Sequence, residues 1–255
     1  MRPAGEPGAL ERTAREIAAE WGLELGRLFA LSRWSYVAPV GADAVLKVRS
    51  ADDDESDQEA DALAFWDGEA AVRLLRHDRE QRALLIERAN PGIDLSQLPD
   101  EEATARATEI GRRLWRPASR PFRWLGDHVP RWADNADQDG LGVPELIPLA
   151  RRLYGSMEVG RQRLVHGDFH HHNLLSSGRG PLAIDPKPML GEPEYDIASF
   201  LWNPLNSAMT VERTERRLQA FAAAGLDDGR MRAWAVIRGA YLAGQDEAQV
   251  LRGLV

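Results

Sequence analysis

The fold is decided by the stretch Leu164-Val-His-Gly-Asp-Phe-His-His-His-Asn-Leu-Leu-Ser176, together with Leu182-Ala-Ile-Asp-Pro-Lys187. In the first stretch two apolar runs flank a polar loop, and in the second an apolar run ends in an acid and a proline. Short apolar runs bounded by turn residues are typical of strands. The pattern predicts a compact β-rich insert that displays Asp168, Asn173 and Asp185 where rigid elements stop.

These three polar residues match the requirements of one kind of chemistry. Asp168 and Asn173 lie five positions apart in one loop, so the loop can present a carboxylate to one side and an amide oxygen to the other. Phosphoryl transfer from ATP needs a carboxylate that receives the proton of the acceptor hydroxyl, and hard oxygen ligands for Mg²⁺. Together with Asp185, the loop therefore favours a phosphotransferase, in which positioning and charge neutralisation are the protein's main tasks.

The hydrophobic pattern of the chain changes after Asn90-Pro91-Gly92. Before it, a helical pattern is followed by apolar runs with strand character around a second helix that carries Glu59. After it, helical periodicity dominates on both sides of the β-rich insert. The sequence predicts the α+β class, with a mostly antiparallel sheet lobe over residues 1–90 and a larger helical lobe over residues 91–255. The predicted strands are Leu25–Leu31, Tyr36–Val40, Ala44–Val48, Ala70–Leu75 and Ala83–Glu87; the predicted helices include Ala9–Trp21, Glu101–Trp115, Pro144–Val159, Glu194–Leu201, Val211–Ala224 and Arg230–Ala243.

Composition narrows the classes of partner. The chain has 32 basic and 40 acidic residues, a net charge of -8, so it has no evident source of attraction to a nucleic-acid backbone. An acidic protein suits a cationic small molecule better. It contains no cysteine, which excludes disulfides, thiolate zinc sites and a cysteine nucleophile. Because no run of about 18 apolar residues and no signal-peptide pattern is present, we expect a cytoplasmic protein without a membrane partner.

Four motifs together carry a resemblance to a known family. They are His166-Gly-Asp168, Asn173, Ile184-Asp-Pro-Lys187 and Gly191-Glu-Pro-Glu-Tyr-Asp196. This set resembles the aminoglycoside phosphotransferase family, and within it the streptomycin 6-kinase and hydroxyurea phosphotransferase branch. The resemblance implies a protein-kinase-like two-lobed fold that uses ATP and Mg²⁺. It also implies that Asp168 is the catalytic base, that Asn173 and Asp185 are Mg²⁺ ligands, and that Asp196 is a buried acid tying the catalytic loop to the next helix.

The resemblance extends to the nucleotide-binding half of the chain. Lys47, in Val45-Leu-Lys-Val48, matches the strand lysine that contacts the α- and β-phosphates, and Glu59 matches its carboxylate partner. A lysine in an apolar strand is costly unless it is paired, which accounts for both residues together. Glu55 is the alternative partner. Glu87 and Ala89 fall in the implied hinge, whose backbone groups face the adenine.

One segment departs from the family pattern. The loop that should cover the phosphates lies near Leu31–Tyr36 and contains no glycine, although glycine there lets backbone amides approach phosphates closely. The hydroxyl and amide groups of Ser32 and Ser35 are the alternative donors.

Several residues near these motifs have competing interpretations. The histidines His166, His170, His171 and His172 crowd the loop around Asp168 and, taken alone, are compatible with a metal hydrolase. Consecutive histidines rarely point at one metal ion, however, so structural or packing roles are favoured. Five acids are candidate ligands for a cationic substrate, although most acids in loops are solvated: Glu192, Glu194, Asp134, Asp137 and Asp139.

The sequence leaves three functions open. The first is an ATP- and Mg²⁺-dependent O-phosphotransferase that acts on a hydroxyl of a small molecule, with aminoglycoside or aminocyclitol antibiotics as candidate acceptors. The second keeps this chemistry but changes the acceptor to a sugar or amino-alcohol metabolite, because fold alone does not set the acceptor. The third is a nucleotide-binding pseudokinase with a regulatory role, which the glycine-free loop favours and the intact polar residues disfavour.

Overall fold

The computed structural model describes residues 7–53, 55, 57–119, 122–139, 142–160 and 162–255. The chain forms two compact units. The first comprises Met1–Ile93 and Leu175–Lys187, and the second comprises Asp94–Leu174 and Pro188–Val255.

An antiparallel five-stranded sheet forms the body of the first unit, with strand order β1-β2-β3-β5-β4. Central strands β3 and β5 are mostly buried, as their near-continuous apolar sequences require. Strand β4 lies at an edge and exposes most of its side chains, so its last three residues can be polar. The strands are β1 (Ala30–Leu31), β2 (Ser35–Val40), β3 (Ala44–Arg49), β4 (Leu74–Asp78) and β5 (Ala83–Glu87).

Helix α1 (Pro7–Trp21) covers one face of this sheet. Its buried side chains recur at intervals of three and four residues, which places them in one stripe along the helix. The stripe packs against Tyr36, Leu46 and Val48 of β2 and β3 to form one hydrophobic core. Its members are Leu10, Ala14, Ile17, Ala18 and Trp21.

Helix α2 (Glu59–Trp66) follows β3 and ends at Asp67, which adopts a left-handed conformation with φ 46°. The chain after α2 hydrogen-bonds to the segment that carries Asp185: Ala183 N donates to Ala70 O at 2.8 Å, and Val72 N donates to Ala183 O at 3.1 Å. These bonds explain why 175–187 belongs to the first unit. The segment lies in a small sheet of order β6-β8-β9, built from β6 (Pro91–Asp94), β8 (Leu174–Ser177) and β9 (Leu182–Ala183).

The second unit is mainly helical. Helices α6 and α8 form its centre, since nearly every residue of α6 and most of α8 are buried. A two-stranded antiparallel sheet, β7 (Arg163–Val165) with β10 (Met189–Gly191), frames the loop that carries Asp168. The helices are α3 (Asp100–Leu114), α4 (Leu125–Asp139), α5 (Ile147–Gly155), α6 (Glu194–Trp202), α7 (Val211–Ala223), α8 (Asp228–Leu242) and α9 (Ala248–Arg252).

Three sequence-based assignments need correction. The strand predicted over Leu25–Leu31 is only a single bridge at Leu25 and the two residues of β1. The strand predicted over Ala70–Leu75 is wrong, because its first residues pair with Ala183 and the strand of the main sheet begins at Leu74. Helix α4 was not predicted, since it contains Pro130 and a polar C-terminal half.

The predicted division of the chain at residue 90 stays a prediction. The two compact units differ from it chiefly in the segment 175–187, which the prediction placed in the second lobe. No helix in the described part of the chain is both long and apolar enough to cross a bilayer.

The N-terminus of α8 offers a test of the helical unit. The Asp227 carboxylate accepts a hydrogen bond from the Arg230 amide at 2.8 Å, which caps the helix. We expect Asp227→Ala to lower the free energy of unfolding by about 1 kcal/mol, because this amide loses its acceptor. Asp227→Ser restores a cap and serves as the control in urea denaturation. Equal stability of the alanine and serine variants would contradict the capping role.

Candidate active site

Lys47 is a buried cation held by two carboxylates. Its Nζ lies 3.0 Å from Glu59 Oε1 and 2.8 Å from Oε2, and it also donates to Asp185 Oδ1. Burial alone lowers the pKa of Lys47, but the carboxylates of Asp185 and Glu59 outweigh burial and raise the pKa above its ordinary value. The lysine therefore stays charged. The predicted pairing of Lys47 with Glu59 is confirmed.

Glu59 serves a second cation that the sequence reasoning missed. Arg49 lies two residues beyond Lys47 on β3, and alternate residues of a strand point to the same face. Its Nη1 donates to Glu59 Oε2 at 2.8 Å, with both side chains almost fully buried. The alternative partner, Glu55, instead pairs with Lys187 at 3.3 Å near the surface.

Asp185 sits in a strained turn after β9. Its φ of 56° lies in the left-handed region, which non-glycine residues adopt uncommonly and mostly when their surroundings impose it. The side chain remains 46% exposed although it pairs with Lys47. The turn therefore presents a carboxylate that is fixed in direction and still accessible to a ligand.

A cavity of about 460 Å³ within the first unit collects five of the predicted residues: Lys47, Glu59, Glu87, Ala89 and Asp185. Much of the remaining wall is apolar, including Val37, Val45, Ile86, Leu175 and Ile184. An apolar cavity with a few fixed charges is the usual form of a small-molecule site. The backbone of Ala89 makes no hydrogen bond with any part of the chain that the structure describes, so its amide and carbonyl are available to a ligand.

The Glu87 side chain has a structural task. Arg179 Nε and Nη2 contact its two carboxylate oxygens at 2.8 and 2.5 Å, and the Arg73 amide donates to it at 2.9 Å. The hydrogen bonds from Arg179 are the main reason that the pKa of Glu87 lies below its usual range. Arg179 also donates to the carbonyls of Gly68 and Ala71. This guanidinium thus joins the end of β5, the chain after α2 and the turn before β9.

The glycine-free loop is closed by its own serine. Ser32 Oγ accepts hydrogen bonds from the amides of Trp34 and Ser35, each at 3.1 Å, and the Ser32 amide donates to Ser35 O. The three amides are therefore satisfied inside the turn. The expectation that the Ser35 amide is available to phosphate does not fit this arrangement, although Ser35 does line the cavity.

In the second unit, Asp168 and Asn173 lie together in one loop. Asn173 Nδ2 donates to Asp168 O at 2.9 Å and lies 3.3 Å from Asp168 Oδ2. Because the amide nitrogen is occupied by the loop itself, the amide oxygen of Asn173 is left for another partner. The Asp168 carboxylate is about one quarter exposed.

The side chain of Asp196 fixes the start of this loop. Its carboxylate is fully buried and accepts from the amides of His166 and Gly167, both at 2.8 Å, and from Trp115 Nε1 at 2.9 Å. Burial raises the pKa of Asp196, while the neighbouring His166 and the three donors favour its charged form. The predicted role of Asp196, tying the loop to the next helix, is confirmed.

The histidines have separate structural roles. His166 Nδ1 accepts from the Asp168 amide at 3.2 Å, and His171 is buried, where burial lowers its pKa to about 2 and keeps it neutral. His172 lies 3.1 Å from Asp94, and His170 lies 3.6 Å from Asp168. No cluster of three or more His, Cys, Asp or Glu side chains in the described residues is arranged to hold a metal ion.

Two of the acids considered as substrate ligands are already engaged. Glu192 accepts from Arg230 and from Trp234 Nε1, and Glu194 accepts from the amide of Asp227. The side chains of Asp134, Asp137 and Asp139 lie outside the described residues.

A strand lysine paired with a helix glutamate, followed by a helical unit with an Asp-x4-Asn loop, is the arrangement of a kinase-like phosphotransferase. The fold agrees: a choline/ethanolamine kinase family protein from Mesorhizobium loti superposes with a TM-score of 0.65 at 16% identity, over 97% of this chain and 83% of that one. The predicted fold class is confirmed.

The family model described as aminoglycoside/hydroxyurea antibiotic resistance kinase matches residues 21–248. A streptomycin 6-kinase of Streptomyces glaucescens is 32% identical over 91% of this chain and 83% of its own length. A hydroxyurea phosphotransferase of Kitasatospora aureofaciens is 34% identical over 88% of this chain and 69% of its own length. The chain belongs to this kinase family and is a small-molecule phosphotransferase, as the sequence motifs predicted.

The shared carboxylate of Glu59 leads to a prediction on stability. Among the described residues, Glu59→Gln leaves Asp185 as the carboxylate paired with Lys47 and removes the carboxylate paired with Arg49, so we expect the free energy of unfolding to fall by about 3–5 kcal/mol. Glu55→Gln removes the half-exposed pair with Lys187 and should change it by less than about 0.5 kcal/mol. Chemical denaturation compares the two variants. Similar losses of unfolding free energy in both variants would show that Glu59 does not stabilise the buried ion cluster.

Proposed function

We propose that the protein is an ATP- and Mg²⁺-dependent O-phosphotransferase that acts on a hydroxyl of a small molecule. The observation that carries this proposal is the buried ion cluster of Lys47, Glu59 and Asp185 on the wall of an apolar cavity. A charged lysine fixed in this way fits a polyphosphate, and the apolar walls fit a purine. ATP is abundant in the cytoplasm, which is the location we propose.

In the proposed nucleotide complex, Lys47 binds the α- and β-phosphates. Glu59 holds the ammonium in place, so little side-chain entropy is lost when the phosphates bind. Ala89 supplies the unpaired amide and carbonyl that a purine base requires, and the Glu87 side chain fixes this segment through Arg179.

We propose two residues as ligands of a divalent cation, on the chemistry of their donor atoms and the family motifs. Asp185 offers an accessible carboxylate and Asn173 offers an amide oxygen that the loop does not use. Mg²⁺ is commonly held by one or two such protein oxygens together with substrate phosphates. Bound there, Mg²⁺ would neutralise the charge that develops on the transferred phosphoryl group.

Asp168 is proposed as the catalytic base. Its carboxylate accepts a hydrogen bond from the substrate hydroxyl, orients it for in-line attack, and receives its proton. The His166, Asn173 and Asp196 contacts hold the loop rigid, so that the carboxylate is positioned before the substrate arrives.

For the acceptor, we propose an aminoglycoside or aminocyclitol hydroxyl. The matched relatives include two streptomycin 6-kinases, and the net charge of -8 suits a cationic compound. The decisive experiment measures Mg²⁺-dependent ADP formation from ATP with a panel of aminoglycosides, hydroxyurea, sugars and amino alcohols. Stimulation by one class names the acceptor. ATP binding without any stimulated turnover would favour the pseudokinase alternative instead.

Asp168→Asn tests the base. The variant keeps the shape of the side chain but cannot take the proton, so we expect kcat to fall by about 10²- to 10⁴-fold. The affinity for ATP, measured by titration calorimetry, should stay within about twofold, because Asp168 is not assigned to the nucleotide. Near-normal turnover in this variant would remove Asp168 from the role of base.

Asp185→Ala tests the metal ligand. We expect it to weaken Mg-ATP binding by at least about tenfold, the lower bound for losing groups that merely orient metal ligands. Metal-free ATP should bind with little change, since Lys47 keeps Glu59 as its partner. If Mg²⁺ raises the affinity for ATP equally in the variant and the wild type, the assignment is wrong. In addition, chelation of the metal by EDTA should abolish wild-type turnover.

A further inference from the structure

Arg217, on α7, is a buried guanidinium with an unusually full set of partners. It is 1% exposed and donates to Asp100 Oδ1 from Nε at 2.9 Å and from Nη2 at 2.5 Å. Its Nη1 donates to the carbonyls of Phe200, Leu201 and Asn203 at 2.6, 3.0 and 2.7 Å. The guanidinium is thereby fixed to the start of α3 and to the C-terminal end of α6.

The same guanidinium reaches the loop that carries the proposed base. Its Nη2 lies 3.3 Å from Nε2 of His171. Because a guanidinium has only donors, this ring nitrogen must be the acceptor, which places the proton of the neutral imidazole on Nδ1. The His171 ring also stacks on Phe200, with centroids 4.0 Å apart, so it is held both by its face and by its edge.

His171 begins the short 3-10 helix that ends at Asn173, and it lies three residues after Asp168. A displacement of His171 must therefore move the residues on both sides of it. We infer that Arg217 is a positioning residue for phosphoryl transfer, which sets the Asp168–Asn173 loop through its contact with His171. This inference rests on the proposed function.

A buried arginine is an expensive way to join helices alone. Removing a guanidinium from water is costly, and its carboxylate partner, Asp100, is itself about one quarter exposed. The three carbonyls at the C-terminal end of α6 require a donor, but not one that also reaches the loop. Arg217 satisfies these carbonyls and in addition presents a donor of fixed direction to His171.

The chain supplies a matched control on the same helix. Arg213 lies one turn before Arg217 and is also buried, but its guanidinium donates to the hydroxyl and the carbonyl of Ser207. No hydrogen bond among the described residues joins Arg213 to the loop, and a lysine in its place keeps the positive charge that acts on His171. Arg213→Lys therefore reproduces the loss of a buried guanidinium without the proposed positioning role.

We expect Arg217→Lys to lower kcat at least about tenfold at saturating substrates, because displacements of about 1 Å at a reacting group have effects of this order. The KM for ATP should stay within about twofold of the wild-type value. Arg213→Lys should leave both constants within about twofold. Equal losses of kcat in the two variants, or a loss confined to KM in Arg217→Lys, would overturn the inference.

A second pair of variants separates the contact from packing if Arg217 cannot be replaced without unfolding. His171→Gln places an oxygen where Nε2 accepts, and His171→Phe keeps a ring against Phe200 but removes the acceptor. We expect the glutamine variant to retain kcat within about threefold and the phenylalanine variant to lose at least about tenfold. The reverse order would show that stacking alone matters.

Nuclear magnetic resonance separates this inference from the proposed function. The amide resonances of Asp168 and Asn173 should shift in Arg217→Lys and stay in place in Arg213→Lys, whether or not a substrate is known. If the wild-type protein turns over no acceptor but the Arg217→Lys variant shows these shifts, the proposed function fails and the positioning role stands. Unshifted amides in Arg217→Lys would defeat the positioning.

Discussion

The structure depends on the requirement that a lysine buried in a strand be paired with carboxylates. Lys47 meets this requirement through Glu59, 12 residues later in the chain, and Asp185, 138 residues later. Helix α2 is therefore held against β3, and the segment 175–187 joins the first unit although the second unit surrounds it in sequence. Arg179 reinforces the same connection from the turn before β9, through Glu87 and two backbone carbonyls. The cavity wall is shaped by ion pairs from distant parts of the chain.

The second unit also contains a buried charge that needs partners, but here the charge is negative. The buried carboxylate of Asp196 needs donors, and it finds them in the backbone amides of the loop and in Trp115. Arg217 contacts that loop at His171. The loop is thus fixed at its start by an anion and in its middle by a cation. Both contacts use buried side chains, so salt screens them much less than it screens surface pairs.

The sequence predicted those features that follow from an apolar run or from the pairing of a buried charge. Strand β5 was predicted with the bounds observed, because a continuous apolar run can only be a buried element here. The pairing of Lys47 with Glu59 was implied by the family resemblance and agreed with the cost of an unpaired buried charge. Strand β4 was misplaced because an edge strand can be polar, and α4 was missed because Pro130 interrupts its pattern. Arg179 and Arg217 leave no local signal, since their partners lie 92 and 117 residues away in sequence.

The ion cluster on β3 also has a consequence for the empty protein. Two cations, Lys47 and Arg49, face two anions, Glu59 and Asp185, so the cluster is electrically neutral before any ligand arrives. In the nucleotide complex proposed above, a metal ion on Asp185 would leave Arg49 to balance Glu59, and the positive charge of Lys47 would face the phosphates. On that proposal, loading the site would be an exchange of partners rather than the burial of new charge.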